Sequence, residues 1–145
     1  MQRNERIPLR TVRRERLCIV MACHDAIEAE QVGALVLQVN HGVLVTYRKA
    51  QDVLLNRPAG RVVLIILATA EEPQAVGETL AWIRRHWPHC PVAVIGDQGG
   101  GELEIAARAG GAIFLTRPVD PEAWESMVHH VLDVGSRVKR EAELG

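Results

Sequence analysis

The sequence predicts one α/β domain, a parallel five-stranded sheet with helices on both faces. Three observations carry this. Short apolar runs rich in Val and Ile alternate with stretches whose apolar residues recur at helical spacing. Three of those runs are apolar almost throughout, which marks strands buried on both faces. The connections between them are short, as in a repeated β-α unit.

The elements follow in order. Leu17 to Cys23 is the first strand. Asp25 and Glu28 have the spacing of a capping box, so a helix starts at Asp25 and buries Val32, Leu35, Val36 and Val39. Val43 to Tyr47 is a shorter, mixed strand, and Ala50, Val53 and Leu54 support a short helix after it. Val62 to Ala68 is the third strand, followed by the stripe Val76, Leu80, Ile83 and Trp87. Val92 to Ile95 is the fourth, followed by a helix carrying Leu103, Ala106 and Ala107. Gly110-Gly111 suits a left-handed helix stop before a fifth strand, Ala112 to Leu115. Asp120-Pro121 places a cap residue before a proline at the first helical position, opening the stripe Trp124, Met127, Val128, Val131 and Leu132. Five β-α units within about 120 residues predict the flavodoxin-like, doubly wound three-layer sandwich, (βα)5, with strand order 2-1-3-4-5.

Length and composition agree with one soluble domain. The chain has 145 residues, 48% apolar and 24% charged, with a net charge of −1. Residues 1–16 hold six arginines against two glutamates and read as a loose basic arm; residues 17–134 form the domain, and residues 135–145 a charged tail or helix extension. No apolar run reaches the roughly 18–20 residues of a membrane span, and no secretory signal is present. Three cysteines at irregular spacing suggest reduced thiols, and hence a cytoplasmic protein, more than a disulfide framework.

The C-terminal third becomes specific. Pro91-Val92-Ala93-Val94-Ile95-Gly96 is followed by Ile105-Ala106-Ala107-Arg108-Ala109-Gly110, then Phe114-Leu115-Thr116-Arg117-Pro118. These segments resemble the fourth strand, fourth helix and fifth strand of the response-regulator receiver (CheY-like) domain of two-component phosphorelay signalling. The resemblance covers residues 17–134, in its first half by layout more than by motif. It implies chemistry at five positions. An aspartate on the third strand accepts a phosphoryl group. Two acids after the first strand hold Mg²⁺. A Thr or Ser after the fourth strand and a Lys after the fifth bind phosphoryl oxygens.

The residues here depart from that set. The acid pair falls at Met21 and Ala22, and the phosphoacceptor falls within Ile66, Leu67 and Ala68, with no acid anywhere in residues 61–70. The hydroxyl position falls at Gly96, with Asp97 next to it, and the lysine position at Arg117. The expectation is a pseudo-receiver: a non-enzymatic signalling module that acts by protein–protein contact without aspartyl phosphorylation, uses no cofactor and no metal, and has a protein partner or a second copy of itself. Ile105, Arg108 and Trp124 fall near the face that receivers use for such contacts, Trp124 with core as its alternative place. The alternative is a sensor of a small anion or nucleotide at the carboxyl edge of the sheet, held by Gly99–Gly101 and Arg117. In that case Asp97 competes for Arg117.

Other constellations are weaker. Cys23-His24-Asp25 places nucleophile, base and acid in adjacent positions, whereas catalytic triads are assembled from separate segments. Cys23 and His24 belong at one edge of the sheet and His86, His89 and Cys90 at the other, roughly 15–20 Å apart, too far to share zinc. Asp25, Glu71 and Glu72 suit helix starts, where carboxylates meet the dipole. His129-His130 suit a surface pair. The net charge gives no reason to expect nucleic acid.

Overall fold

The computed structural model describes residues 17–39, 43–68, 71–97 and 101–130. The basic arm, the charged tail, and Val131 and Leu132 of the last apolar stripe lie outside these residues. The chain runs β1 (Leu17–Cys23), α1 (Ala26–Val39), β2 (Val43–Tyr47), α2 (Asp52–Leu55), β3 (Arg61–Ala68), α3 (Pro73–His86), β4 (Val92–Gly96), α4 (Gly101–Ala109) and β5 (Ile113–Thr116). Residues 121–130 form a further helix, α5. All four strand pairings are parallel, and the order is β2-β1-β3-β4-β5, as the alternating pattern predicts.

Alternation along each strand divides the core into two layers. Ile19, Met21, Cys23, Leu64, Ile66 and Ile95 face α1 and α5, where they meet Val32, Val36, Trp124 and Val128. Val20, Ala22, Ile65, Leu67 and Val94 face the other way, against Val53, Val76, Leu80, Ile83 and Ala107 of α2, α3 and α4. The pairing of β1 with β3 slips by one residue between Cys18 and Ile19, where Val63 is left over. That slip sets the parity with which β3 meets β1 on each face. The central strands are buried nearly throughout, while the edge strands β2 and β5 are half-exposed. This explains why only the central strands read as continuous apolar runs.

The helix ends follow the sequence signals with two refinements. The Asp25 carboxylate accepts the Ile27 N–H at 2.8 Å and the Glu28 N–H at 3.3 Å, so it caps α1. The end of α4 is a Schellman closure: the Gly111 N–H donates to the Arg108 carbonyl and the Ala112 N–H to the Ala107 carbonyl. Gly111 has φ +82°, and Ala112 is consumed by the closure, so β5 begins at Ile113 and ends at Thr116, one residue later than the apolar run suggests. Of the two places the sequence allows Trp124, the structure gives the core and removes it from the contact face: the residue is 1% exposed, on the inner side of α5.

A Cβ at Gly111 would meet left-handed backbone and come within 1.8 Å of the Arg84 guanidinium, which itself bonds the Gly110 carbonyl. Gly111→Ala is therefore expected to lower stability by about 1–2 kcal/mol, read from the midpoint of urea unfolding.

Candidate functional site

The parallel registers bring four strand ends to one edge. Cys23 lies opposite Ala68, Ala68 opposite Ile95, and Gly96 opposite Thr116. Arg117 leaves β5 at this edge, with its N–H donating to the Gly96 carbonyl at 2.7 Å, and the Arg117–Pro118 peptide is cis.

The Arg117 side chain turns toward α1. Its Nε donates to Glu28 Oε2 at 2.6 Å and its Nη2 to Glu28 Oε1 at 3.1 Å, a two-point clamp on one carboxylate. Its Nη1 reaches Asp97 Oδ1 at 3.2 Å. Arg117 and Glu28 are 26% and 19% exposed, whereas Asp97 is 81% exposed, so Glu28 is the stronger partner. The guanidinium pKa is raised, first by the hydrogen bond to Glu28. The pairing of Arg117 with Asp97 that the sequence allowed is present. The clamp to Glu28 was not foreseen, because Glu28 reads locally as half of a capping box and its partner lies 89 residues away. Glu28 does not close that box; Arg117 holds its carboxylate.

The Cys23 thiol donates to the Asp25 carbonyl at 3.2 Å and to Glu28 Oε1 at 3.6 Å. Burial raises its pKa, and the Glu28 and Asp25 carboxylates push the same way against the one hydrogen bond that lowers it. A thiol held protonated among carboxylates is a poor nucleophile. Cys90, before β4 at the opposite edge, is pushed by burial to about 12. Among the described residues no three His, Cys, Asp or Glu side chains are grouped to hold a metal ion.

No sequence-family description matches this chain, and no curated protein matches it in sequence. Solved structures do match in shape. NtrX of Brucella abortus superposes with a TM-score of 0.72 at 18% identity, over 89% of this chain and 29% of NtrX. The beryllofluoride-activated receiver domain of DrrB matches with a TM-score of 0.68 at 19% identity, over 82% of this chain and 98% of that domain. The CheY-like protein tadZ of Pseudomonas aeruginosa gives 0.67 at 15% identity, over 79% and 98%. The chain has the response-regulator receiver fold.

On that fold the expected chemical positions are occupied as follows. Met21 does not face the edge: it is fully buried in the α1–α5 layer, and this corrects its placement in the pocket. Ala22 packs in the other layer and offers no oxygen. Ile66 and Leu67 are core residues, and Ala68 ends β3 without a donor or acceptor side chain. At Gly96 a Cβ would come within 2.6 Å of Leu103 Cδ2 and 2.9 Å of Phe114 Cζ, so the space for a hydroxyl side chain is filled. Mg²⁺ requires oxygen ligands. Among the described residues the ends of β1, β3 and β4 supply no side-chain oxygen, and the nearby carboxylates of Glu28 and Asp97 are bonded to Arg117, so these residues do not fit the ion.

The alternative anion site is also affected. Gly99 and Gly100 lie outside the described residues, and Gly101 is the first residue of α4. Arg117, the charge that site needs, is already bound by two carboxylates.

Replacing Glu28 by Gln leaves a partly buried guanidinium with only an exposed carboxylate beside it. Glu28→Gln is expected to lower stability by about 1–3 kcal/mol in urea unfolding. Asp97→Asn should change it by no more than about 0.5 kcal/mol. Equal losses would show that both acids hold Arg117 alike.

Proposed function

We propose that this domain is a non-enzymatic signalling module that works through contact with a protein partner and is not switched by aspartyl phosphorylation. The observation that carries the reading is the edge itself. Apolar side chains stand where phosphoryl chemistry needs acids, and the one cation expected to face a phosphoryl group is clamped by Glu28. A closed Arg–carboxylate pair needs no phosphate to hold β5 and α1 together. The receiver fold supports a signalling role by analogy, since the fold alone carries many functions.

The contact surface we favour is the outer side of α4. Ile105 is 70% exposed there. Beside it Arg108 is paired with Glu104 one turn earlier at 2.9 Å, an exposed pair that adds little stability and leaves a charged border to an apolar centre. A partner protein or a second copy of the chain could use such a patch.

Two measurements test this. Addition of Mg²⁺ and beryllofluoride to the isotope-labelled protein is expected to give no saturable, Mg²⁺-dependent amide shifts that include residues 96–97 and 117 together with 20–25 and 66–68; such shifts would make the domain a true phosphorelay receiver. Ile105→Asp is expected to change stability by no more than about 0.5 kcal/mol, since the side chain is exposed. The same substitution should weaken association with the partner, or self-association in sedimentation, by about tenfold or more.

A further inference from the structure

The carboxyl edge carries a second feature, on the face of the sheet away from α1. A cavity of about 400 Å³ opens between the ends of β1 and β3, α3 and the loop that follows β2. Buried Ala22, Leu67, Ala68 and Val76 line it, and exposed His24, Arg48 and Lys49 line it as well. Its volume falls within the range of small-molecule sites. Its place is the one where open α/β sheets bind ligands, since the strand order reverses between β1, flanked by β2, and β3.

The charges around it differ from those at Arg117. Among the described residues neither the Arg48 nor the Lys49 side chain has an ion-pair or hydrogen-bond partner. Glu71, the acid that also lines the cavity, is already engaged. Two uncommitted cations and a histidine therefore border an apolar interior. The interior is open because Ala22, Ala50 and Ala68 are small. An anionic group with an apolar body satisfies both halves of such a lining.

We propose that this cavity binds a small organic anion, a phosphate or carboxylate carried on a compact apolar group. Arg48 and Lys49 would take the anionic oxygens, and Ala22, Leu67 and Val76 would surround the apolar part. This site is separate from the Arg117 clamp and goes beyond the contact function proposed above.

The test is an amide NMR titration of the full chain with phenyl phosphate, benzoate and uncharged phenol. Saturable shifts at residues 22–24, 48–51, 67–68 and 76–79 are expected with at least one of the anions and not with phenol; whichever anion binds more tightly identifies the head group. The double variant Arg48→Gln, Lys49→Gln, altered only at exposed positions, should weaken that binding by about tenfold or more. Ala22→Leu, which fills the cavity, should abolish it. Absence of saturable shifts with both anions, equal binding of phenol, or unchanged affinity in the Arg48, Lys49 variant would overturn the proposal. The last criterion holds even where Ala22→Leu fails to fold.

Discussion

Burial of both faces of β1, β3 and β4 is the constraint on which the rest of this domain depends. Residues such as Ile19, Met21 and Ile66 are held against α1 and α5, and Val20, Ile65 and Val94 against the opposite helices. A strand with no solvent face has no room for ionisable groups along its length. Chemistry is pushed to the ends of the strands, where side chains from the following loops meet. The Arg117 clamp and the cavity near Arg48 both sit at that edge, one on each side of the sheet.

The clamp illustrates how a cation on an α/β edge can be satisfied from within the protein. Arg117 follows β5, and Glu28 lies on α1, across the sheet from the cavity. The planar guanidinium takes both carboxylate oxygens, an arrangement that a lysine ammonium reproduces poorly. Glu28 also lies beside the Cys23 thiol, whose pKa is raised by burial and by the Glu28 and Asp25 carboxylates. One carboxylate thus joins the end of β1, the start of α1 and the exit from β5. The filled space at Gly96 reinforces the same arrangement, because Leu103 and Phe114 close over the end of β4.

The cavity is different in kind. Its cationic side chains have no internal partners among the described residues, and its apolar lining comes from the ends of β1 and β3, from α3 and from Ala50 after β2. If the contact face lies on α4, as proposed, α3 stands between it and the cavity, lining the cavity with Val76 and packing against α4 in the same layer. Occupancy of one could then influence the other through α3, which would need two discrete arrangements for coupling.

Much of this was readable from the residues alone. Continuous apolar runs over Leu17 to Cys23 and Val92 to Ile95 declared central parallel strands, and Asp25 and Gly110-Gly111 declared helix ends, because caps and periodicity are local physics. The lack of acids at the strand ends was also local and needed no coordinates. Three things were decided only by tertiary packing. Strand parity turned Met21 into the core, the inner face of α5 took Trp124 out of any contact surface, and Arg117 found Glu28 at a distance of 89 residues. Spacing along a chain specifies which face a side chain occupies within its own element, but the partner across the fold depends on how several elements stack. Sequence therefore determined the fold and the lack of any acid along β3, and only the packed structure could decide which charges are paired across the fold.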